Sequence, residues 1–205
     1  MEPTLPPDAL LVLDYDGIAV FAVSGALLAA EKRQTLVTFI FFAVVTGVGG
    51  GTLRDLLIGA PVFWMHTNAT LLICIAAAIA VWIFSRSLFA GRALLWFDAV
   101  GLAAYATYGA AKALSYSVAP VPAFAMGVMT ACVGGIIRDV LANEPSILMR
   151  PELYVTAAAL ASGLYVIANL AGAPPTLSAL VAGLAGFALR GAAIARGISL
   201  PAYDR

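Results

Sequence analysis

The sequence predicts an all-α polytopic membrane protein: seven transmembrane helices, built as an inverted 3+3 repeat with a seventh helix added. Composition, the number of apolar runs and self-similarity at a fixed offset carry that expectation. Apolar residues make up 62% of the 205 residues and charged ones only 11%. Average soluble domains carry roughly 45–50% and about 25%, so this chain lacks the polar surface to solvate a globule. The same figures exclude a disordered tail. Eleven basic and eleven acidic residues cancel, which leaves no field to draw nucleic acid. Cys74 and Cys132 lie inside apolar runs and His66 is the single histidine, so neither a disulfide framework nor a metal site is expected.

A bilayer core requires about 20 apolar residues per helix, and seven stretches meet that need. The first, 9–30, has no basic residue before it and no small-residue cleavage site after it, so it reads as a span and not as a removed signal peptide. Glu31-Lys32-Arg33 ends it. The second, 35–59, stops at Pro61, and the third, 67–84, runs into the segment from Arg86 to Arg92. The fourth covers 94–114 and ends at Ser115 to Pro120. The fifth covers 121–143 and is followed by Glu144-Pro145 to Pro151. The sixth, 152–170, stops at Gly172 to Pro175, and the seventh is 177–195. The whole chain, 1–205, forms one transmembrane domain. Its first three-helix repeat is 9–91, its second and inverted one 92–171, and its seventh helix 174–196.

Orientation follows from lysine and arginine. Lys32 and Arg33 fall in the first loop, Arg86 and Arg92 in the third and Arg150 in the fifth. Arg190, Arg196 and Arg205 mark the C-terminal end. The N-terminal segment, with Glu2 and Asp8, has no basic residue, nor do the second and sixth loops, and the fourth has only nearby Lys112. The N-terminus is therefore expected outside and the C-terminus in the cytoplasm.

A shift of 84 residues lays Asp14 on Asp98, Gly17 on Gly101 and Gly25 on Gly109. Without a gap it also lays Thr46 on Thr130, Gly50-Gly51 on Gly134-Gly135, Arg54-Asp55 on Arg138-Asp139 and Pro61 on Pro145. Alanine matches are cheap in such a chain; matched charges, glycine pairs and prolines are not. Three spans per unit is an odd number, so the second copy enters the membrane from the opposite side. Inverted repeats of this kind typify proteins that move solutes or ions, with their sites near the midplane between repeats. No catalytic dyad stands out, and an enzyme is not expected.

The duplicated segments are Thr46-Gly-Val-Gly49-Gly50-Gly51-Thr-Leu-Arg54-Asp55 and Thr130-Ala-Cys-Val-Gly134-Gly135-Ile-Ile-Arg138-Asp139. Consecutive glycines weaken a helix and are common at kinks. Close packing through small residues is the alternative reading. An arginine or aspartate deep in a span costs on the order of 3 kcal/mol. Thr46, Gly50 and Arg54 follow i, i+4, i+8 and share one face, as do Thr130, Gly134 and Arg138. A hydroxyl, a bare backbone and a charge on one stripe suit a water-lined path, with snorkelling arginines and structural ion pairs as competing explanations. By depth, Asp14 joins Arg54-Asp55 in the outer half and Asp98 joins Arg138-Asp139 in the inner half. Each group has an excess of one negative charge, giving two mildly acidic vestibules that favour cations. Lys112 near the end of span 4 reads first as a snorkelling lysine.

These residues resemble the trimeric intracellular cation channel (TRIC) family and its prokaryotic members. Gly49-Gly50-Gly51-x-x-Arg54-Asp55 and Gly134-Gly135-x-x-Arg138-Asp139 carry the likeness, which extends over essentially the whole chain; Val133 replaces the first glycine in the second copy. The resemblance implies glycine-kinked second and fifth helices. It also implies a homotrimer in membrane lipid with an hourglass pore inside each protomer, permeable to potassium and also sodium, needing no cofactor beyond the permeating K+ or Na+. It implies a bacterial plasma-membrane location and gives Lys112 a possible part in gating. A secondary transporter for glycine or another small zwitterion is the alternative, because both kinds of protein use inverted repeats. Such a transporter would offer a helix N-terminus to the carboxylate near Gly51-Thr52, and Asp14 or Asp55 to the amine.

Overall fold

The computed structural model describes residues 7–88 and 92–201, with the side chains of 7–10, 12, 13 and 85–88 excepted. Glu2 and Arg205, and the side chains of Asp8 and Arg86, lie outside the described residues. Seven α-helices are present among the described residues: α1 (Pro7–Glu31), α2 (Leu36–Ile58), α3 (Asn68–Leu88), α4 (Ala93–Ser115), α5 (Pro120–Leu141), α6 (Val155–Leu170) and α7 (Pro175–Arg196). Single 3-10 turns, Phe63–Met65 and Ile147–Met149, follow α2 and α5. Prolines pre-set the first turns of α5 and α7, and Gly59 and Gly197 end α2 and α7 in the left-handed conformation.

All seven expected spans are helices, but they are not equally fit to cross a bilayer alone. Among the described residues, α2, α5 and α7 combine the length and hydropathy to do so by themselves. The α1 and α4 helices carry Asp14, Asp16, Asp98 and Lys112 within their lengths. The α6 helix begins at Val155, three residues later than the apolar run suggests, because Glu152 pairs with Ser199 in a β-bridge and the residues around it bend. Its 16 residues rise about 24 Å, short of a hydrocarbon core of roughly 30 Å.

The packing has a pattern. Within the first three helices α1 touches α2 and α3, and α2 touches α3; α4, α5 and α6 touch in the same way. The two sets meet where α1 packs on α4 and α2 on α5, while α7 covers α4 and α6. Contacts between the sets come in reciprocal pairs at the 84-residue offset. A Cβ on Gly17 would strike the Tyr105 ring, and one on Gly101 would press the Phe21 ring at 3.1 Å. The Phe21 and Tyr105 rings themselves lie 5.3 Å apart.

The α2–α5 contact is tighter. Both helices run without interruption through their glycines, and what those glycines provide is closeness. A Cβ on Gly50 would collide with the Thr130 carbonyl oxygen, and a Cβ on Gly134 with the Thr46 carbonyl oxygen. Gly25 and Gly109 give the same room to the threonine side chains: a Cβ there would meet the Thr46 Oγ1 at 2.6 Å and the Thr130 Oγ1 at 2.5 Å. Gly49 differs, because its nearest neighbour is the flexible tip of Ile137, at 3.1 Å from a Cβ. Around this seam large apolar side chains such as Val37, Leu56, Val121 and Val140 remain exposed and suit lipid or a second protomer.

Gly50→Ala and Gly134→Ala should therefore each cost about 1–3 kcal/mol by pushing one helix off the other's backbone. Gly49→Ala should be nearly silent. Melting temperatures of the three purified variants in one detergent check this, and equal losses at Gly49 and Gly50 would contradict it.

Candidate functional site: two buried charge clusters flanking the helix seam

Each end of the α2–α5 seam holds an arginine–aspartate pair. On one side Arg54 Nε donates to Asp55 Oδ1 at 2.9 Å, and the Phe63 backbone N–H donates to Asp55 Oδ2 at 3.1 Å. On the other, Arg138 Nε donates to Asp139 Oδ1 at 2.9 Å, and the Ile147 N–H donates to Asp139 Oδ2 at 2.9 Å. Phe63 and Ile147 open the two 3-10 turns. One carboxylate thus satisfies a guanidinium and fixes the turn after its own helix. All four charged side chains are buried, a costly arrangement that only close pairing makes tolerable.

Each arginine has a partner in the other half of the molecule, and Arg138 a further one, Asp98, in its own. Arg54 lies over the Tyr108 ring at 4.8 Å. Arg138 Nη1 donates to Ser24 Oγ at 2.9 Å and to Asp98 Oδ1 at 2.7 Å. Ser24 and Tyr108 are 84 positions apart, so each arginine finds the equivalent partner across the interface. Asp14 is buried beside Tyr105, whose hydroxyl reaches its Oδ1 at 3.4 Å.

The structure brings the expected residues together as follows. The Thr46–Gly50 and Thr130–Gly134 stripes, expected to line a hydrated path, press on each other's backbone here, and both threonines are buried. Gly51 and Gly135 face Phe63 and Tyr154 instead, with a Cβ meeting the ring at 2.7 Å and the hydroxyl at 2.9 Å. Lys112, expected to snorkel, is drawn inward and binds Asp55 Oδ1 at 2.9 Å. The Asp55 cluster therefore holds Arg54 and Lys112 against Asp14 and Asp55 and is formally neutral; only the Asp139 cluster, with Asp98 and Arg138, keeps the expected excess of one negative charge.

A cavity of about 260 Å³ opens beside the Asp139 cluster, bordered by Arg138, Asp139, Glu31, Arg92, Glu144 and Arg150. At its rim Lys32 donates to Glu144, joining the α1–α2 loop to the end of α5. That hydrogen bond holds the Glu144 carboxyl below the ordinary glutamate range. Sequence reasoning missed Glu152, Tyr154 and Arg190. Arg190 is buried in α7, donates to Glu152 Oε2 at 2.6 Å and lies over the Tyr154 ring at 5.3 Å. A charge inside an apolar helix was the available signal; it served above only to orient the chain.

This arrangement has relatives of known structure. The orthologue from Rhodobacter sphaeroides of the TRIC trimeric intracellular cation channel is 41% identical, with a TM-score of 0.89 over 93% of this chain and 99% of that one. A prokaryotic TRIC channel is 32% identical, with a TM-score of 0.85 over 94% and 99%. The chain belongs to the TRIC family. Its curated relatives include a UPF0126 membrane protein of Vibrio cholerae, 39% identical over 98% of this chain and 86% of that protein. The UPF0126 inner membrane protein YadS of Escherichia coli K12 is 36% identical over 93% and 94%. A family model described as "Glycine transporter" matches residues 11–86 and 95–169 of this TRIC protein, two blocks whose first residues differ by 84. A Caenorhabditis elegans TRIC channel, 16% identical with a TM-score of 0.64, shares the fold. The neighbours are channels and not enzymes.

The outcome of breaking the Asp55 cluster follows from its geometry. Asp55→Asn strands Arg54 and Lys112 and should cost about 3–5 kcal/mol. Lys112→Met should cost less, because Asp55 keeps Arg54. The double variant should lose less than the sum of the two, since Asp55 and Lys112 touch. Unfolding free energies in detergent for the three variants check the ordering; additive losses would mean the pair does not form.

Proposed function

We propose that the protein is a monovalent cation channel, conducting potassium and also sodium along a path inside each protomer of a homotrimer. The path runs from the Asp55 cluster, between α2 and α5, to the Asp139 cluster and its cavity. One observation carries this reading: two buried arginine–aspartate clusters flank a seam where helix backbones touch with no side chain between them. A small separation of α2 from α5 would line that seam with carbonyl oxygens and the Thr46 and Thr130 hydroxyls, groups that replace part of a cation's hydration shell. Thr46 Oγ1 already lacks a hydrogen-bond partner. In the present conformation the α2 and α5 backbones touch there. The likeness to prokaryotic TRIC channels supports the same reading. The paired contacts and the twice-matching family model support an inverted repeat as its frame. Sites near the midplane between such repeats are where solutes cross.

The expected location is the bacterial inner membrane, with the N-terminus outside, the Asp55 cluster in the outer half and the Asp139 cluster in the inner half. A second reading, transport of glycine or a similar zwitterion, has one observation of its own. The cavity presents guanidinium groups (Arg92, Arg138, Arg150) and carboxylates (Glu31, Asp139, Glu144) together, a pairing that suits an ammonium and a carboxylate on one small solute. The description of the matching family model points the same way.

Purified protein in planar bilayers under asymmetric KCl should give single-channel currents that reverse near the potassium potential. Asp139→Asn should move the reversal towards zero by taking one carboxylate from the cavity and leaving its guanidiniums in excess, and Gly134→Leu should abolish current by filling the waist. Saturable uptake of labelled glycine into liposomes without such currents would favour the transporter. Cysteines at Gln34 and Ser199 should be shielded from an impermeant reagent in intact cells and one at Ala173 should react; the opposite pattern would reverse the orientation. Mass measurement in mild detergent should give three copies.

A further inference from the structure

The two halves differ at one place where the fold spends a buried arginine on no known task. Arg190 sits in α7, the helix outside the repeat, and is buried there. Its Nη2 donates to Glu152 and its guanidinium covers the Tyr154 ring, while its Nε has no hydrogen-bond partner. The segment it grips is pinned from the chain end as well. Leu200 N donates to the Pro151 carbonyl at 2.7 Å, and Glu152 and Ser199 form a two-residue β-bridge. Arg92 at the start of α4 donates to the Ile194 carbonyl of α7.

What this assembly holds is Tyr154. Its side chain is fully buried, and its hydroxyl lies against Gly135 of α5, where a Cβ would be 2.9 Å from the hydroxyl, 3.4 Å from Asp98 Oδ1 and 3.6 Å from Arg138 Nη2. The tyrosine hydroxyl stands beside the Asp98 carboxylate at the edge of the cluster, so the ring fills the space that Gly135 leaves open. At the other end the equivalent glycine, Gly51, faces the Phe63 ring, whose own backbone N–H is held by Asp55 and not by α7. The residue 84 positions before Tyr154 is Thr70, and α7 has no counterpart.

We propose that Tyr154 is a stop against the Asp139 cluster and that Arg190 is the positioning residue that keeps it there, coupling α7 and the C-terminal segment to the conducting path at that end alone. This rests on the channel reading above. The stack fixes the ring plane and the ion pair with Glu152 fixes the backbone on which the ring is mounted. Loss of either frees the hydroxyl end to leave Gly135, and with it the space α5 needs to move from α2.

The test compares the parent full-length protein with Arg190→Gln, Arg190→Lys, Tyr154→Phe, Tyr154→Ala and the Arg190→Gln/Tyr154→Ala pair. In potassium on both sides of a bilayer, Arg190→Gln and Tyr154→Ala should each raise open probability several-fold. Unit conductance and reversal potential should stay those of the parent. Tyr154→Phe, which keeps the ring, and Arg190→Lys, which keeps the charge, should lie near the parent. The double variant should open no more than Tyr154→Ala alone. Independent, multiplying effects would overturn the proposal, as would a changed unit conductance. Hydrogen exchange supplies a readout that needs no current. Arg190→Gln should accelerate exchange both at 152–158 and at 134–140. Acceleration confined to 196–200 would reduce Arg190 to an anchor for the chain end. A parent that carries no current, with exchange as expected, would sink the channel reading and leave the positioning role of Arg190 standing.

Discussion

Everything in this fold depends on bringing two helix backbones into direct contact inside a bilayer. In lipid no hydrophobic force presses helices together, so association rests on close packing and on the hydrogen bonds and ion pairs it permits. Gly50 and Gly134 allow α2 and α5 to touch at the carbonyls of Thr130 and Thr46. That contact sets the separation of the Arg54 and Arg138 helices from their cross-interface partners, Tyr108 and Ser24. A methyl group in the seam would move both arginines at once. The glycines are therefore spent on position, and the helical hydrogen bonding continues through them.

The charges at the two ends follow from the same economy of space. A buried guanidinium is tolerable only when a carboxylate and further acceptors lie within reach. Placing the aspartate next in sequence supplies the first partner at little entropic cost. The carboxylate then has a second oxygen to spare, and each aspartate uses it to hold the backbone N–H that opens the following 3-10 turn. Helix end, turn and charge are one unit, and the unit occurs twice. Lys112 alters one copy only: it neutralises the Asp55 cluster, while the Asp139 cluster keeps its excess charge beside the cavity.

Much of this was legible in the sequence, because hydropathy reports depth and the 84-residue offset reports pairing of whole segments. The seven helices and the Arg54-Asp55 and Arg138-Asp139 units could be read without coordinates, whereas glycines that let backbones touch and glycines that line a wet path look alike. Azimuth could not. Lys112 stands near a helix end, where a lysine over lipid and a lysine over Asp55 look alike from sequence. The start of α6 was misplaced because 152–154 are compatible with a span, yet Tyr154 is held under α7 by Arg190. Arg190 itself was visible as a charge in an apolar helix, but its partner Glu152 had been counted inside a neighbouring span. Tyr154 carried no signal at all; a buried tyrosine among apolar residues is what a core usually contains.

Departures from symmetry are where this molecule assigns different tasks to its two ends. A duplicated unit begins with equivalent ends, and ion pairs that exist only to hold helices together have no reason to diverge in charge. Here they do. At the 84-residue offset Lys112 faces Leu28, Tyr154 faces Thr70, and Glu144, which binds Lys32, faces Ala60. One end is a compact neutral cluster, with an aromatic ring over its arginine and a lysine closing its carboxylate. The other has a cavity bordered by charges of both signs, a buried tyrosine ring and an arginine of the seventh helix lying over it. On the proposed path the two ends therefore differ in layout more than in net charge: one packs its charges tightly around Asp55, and the other spreads three guanidiniums and three carboxylates around a cavity.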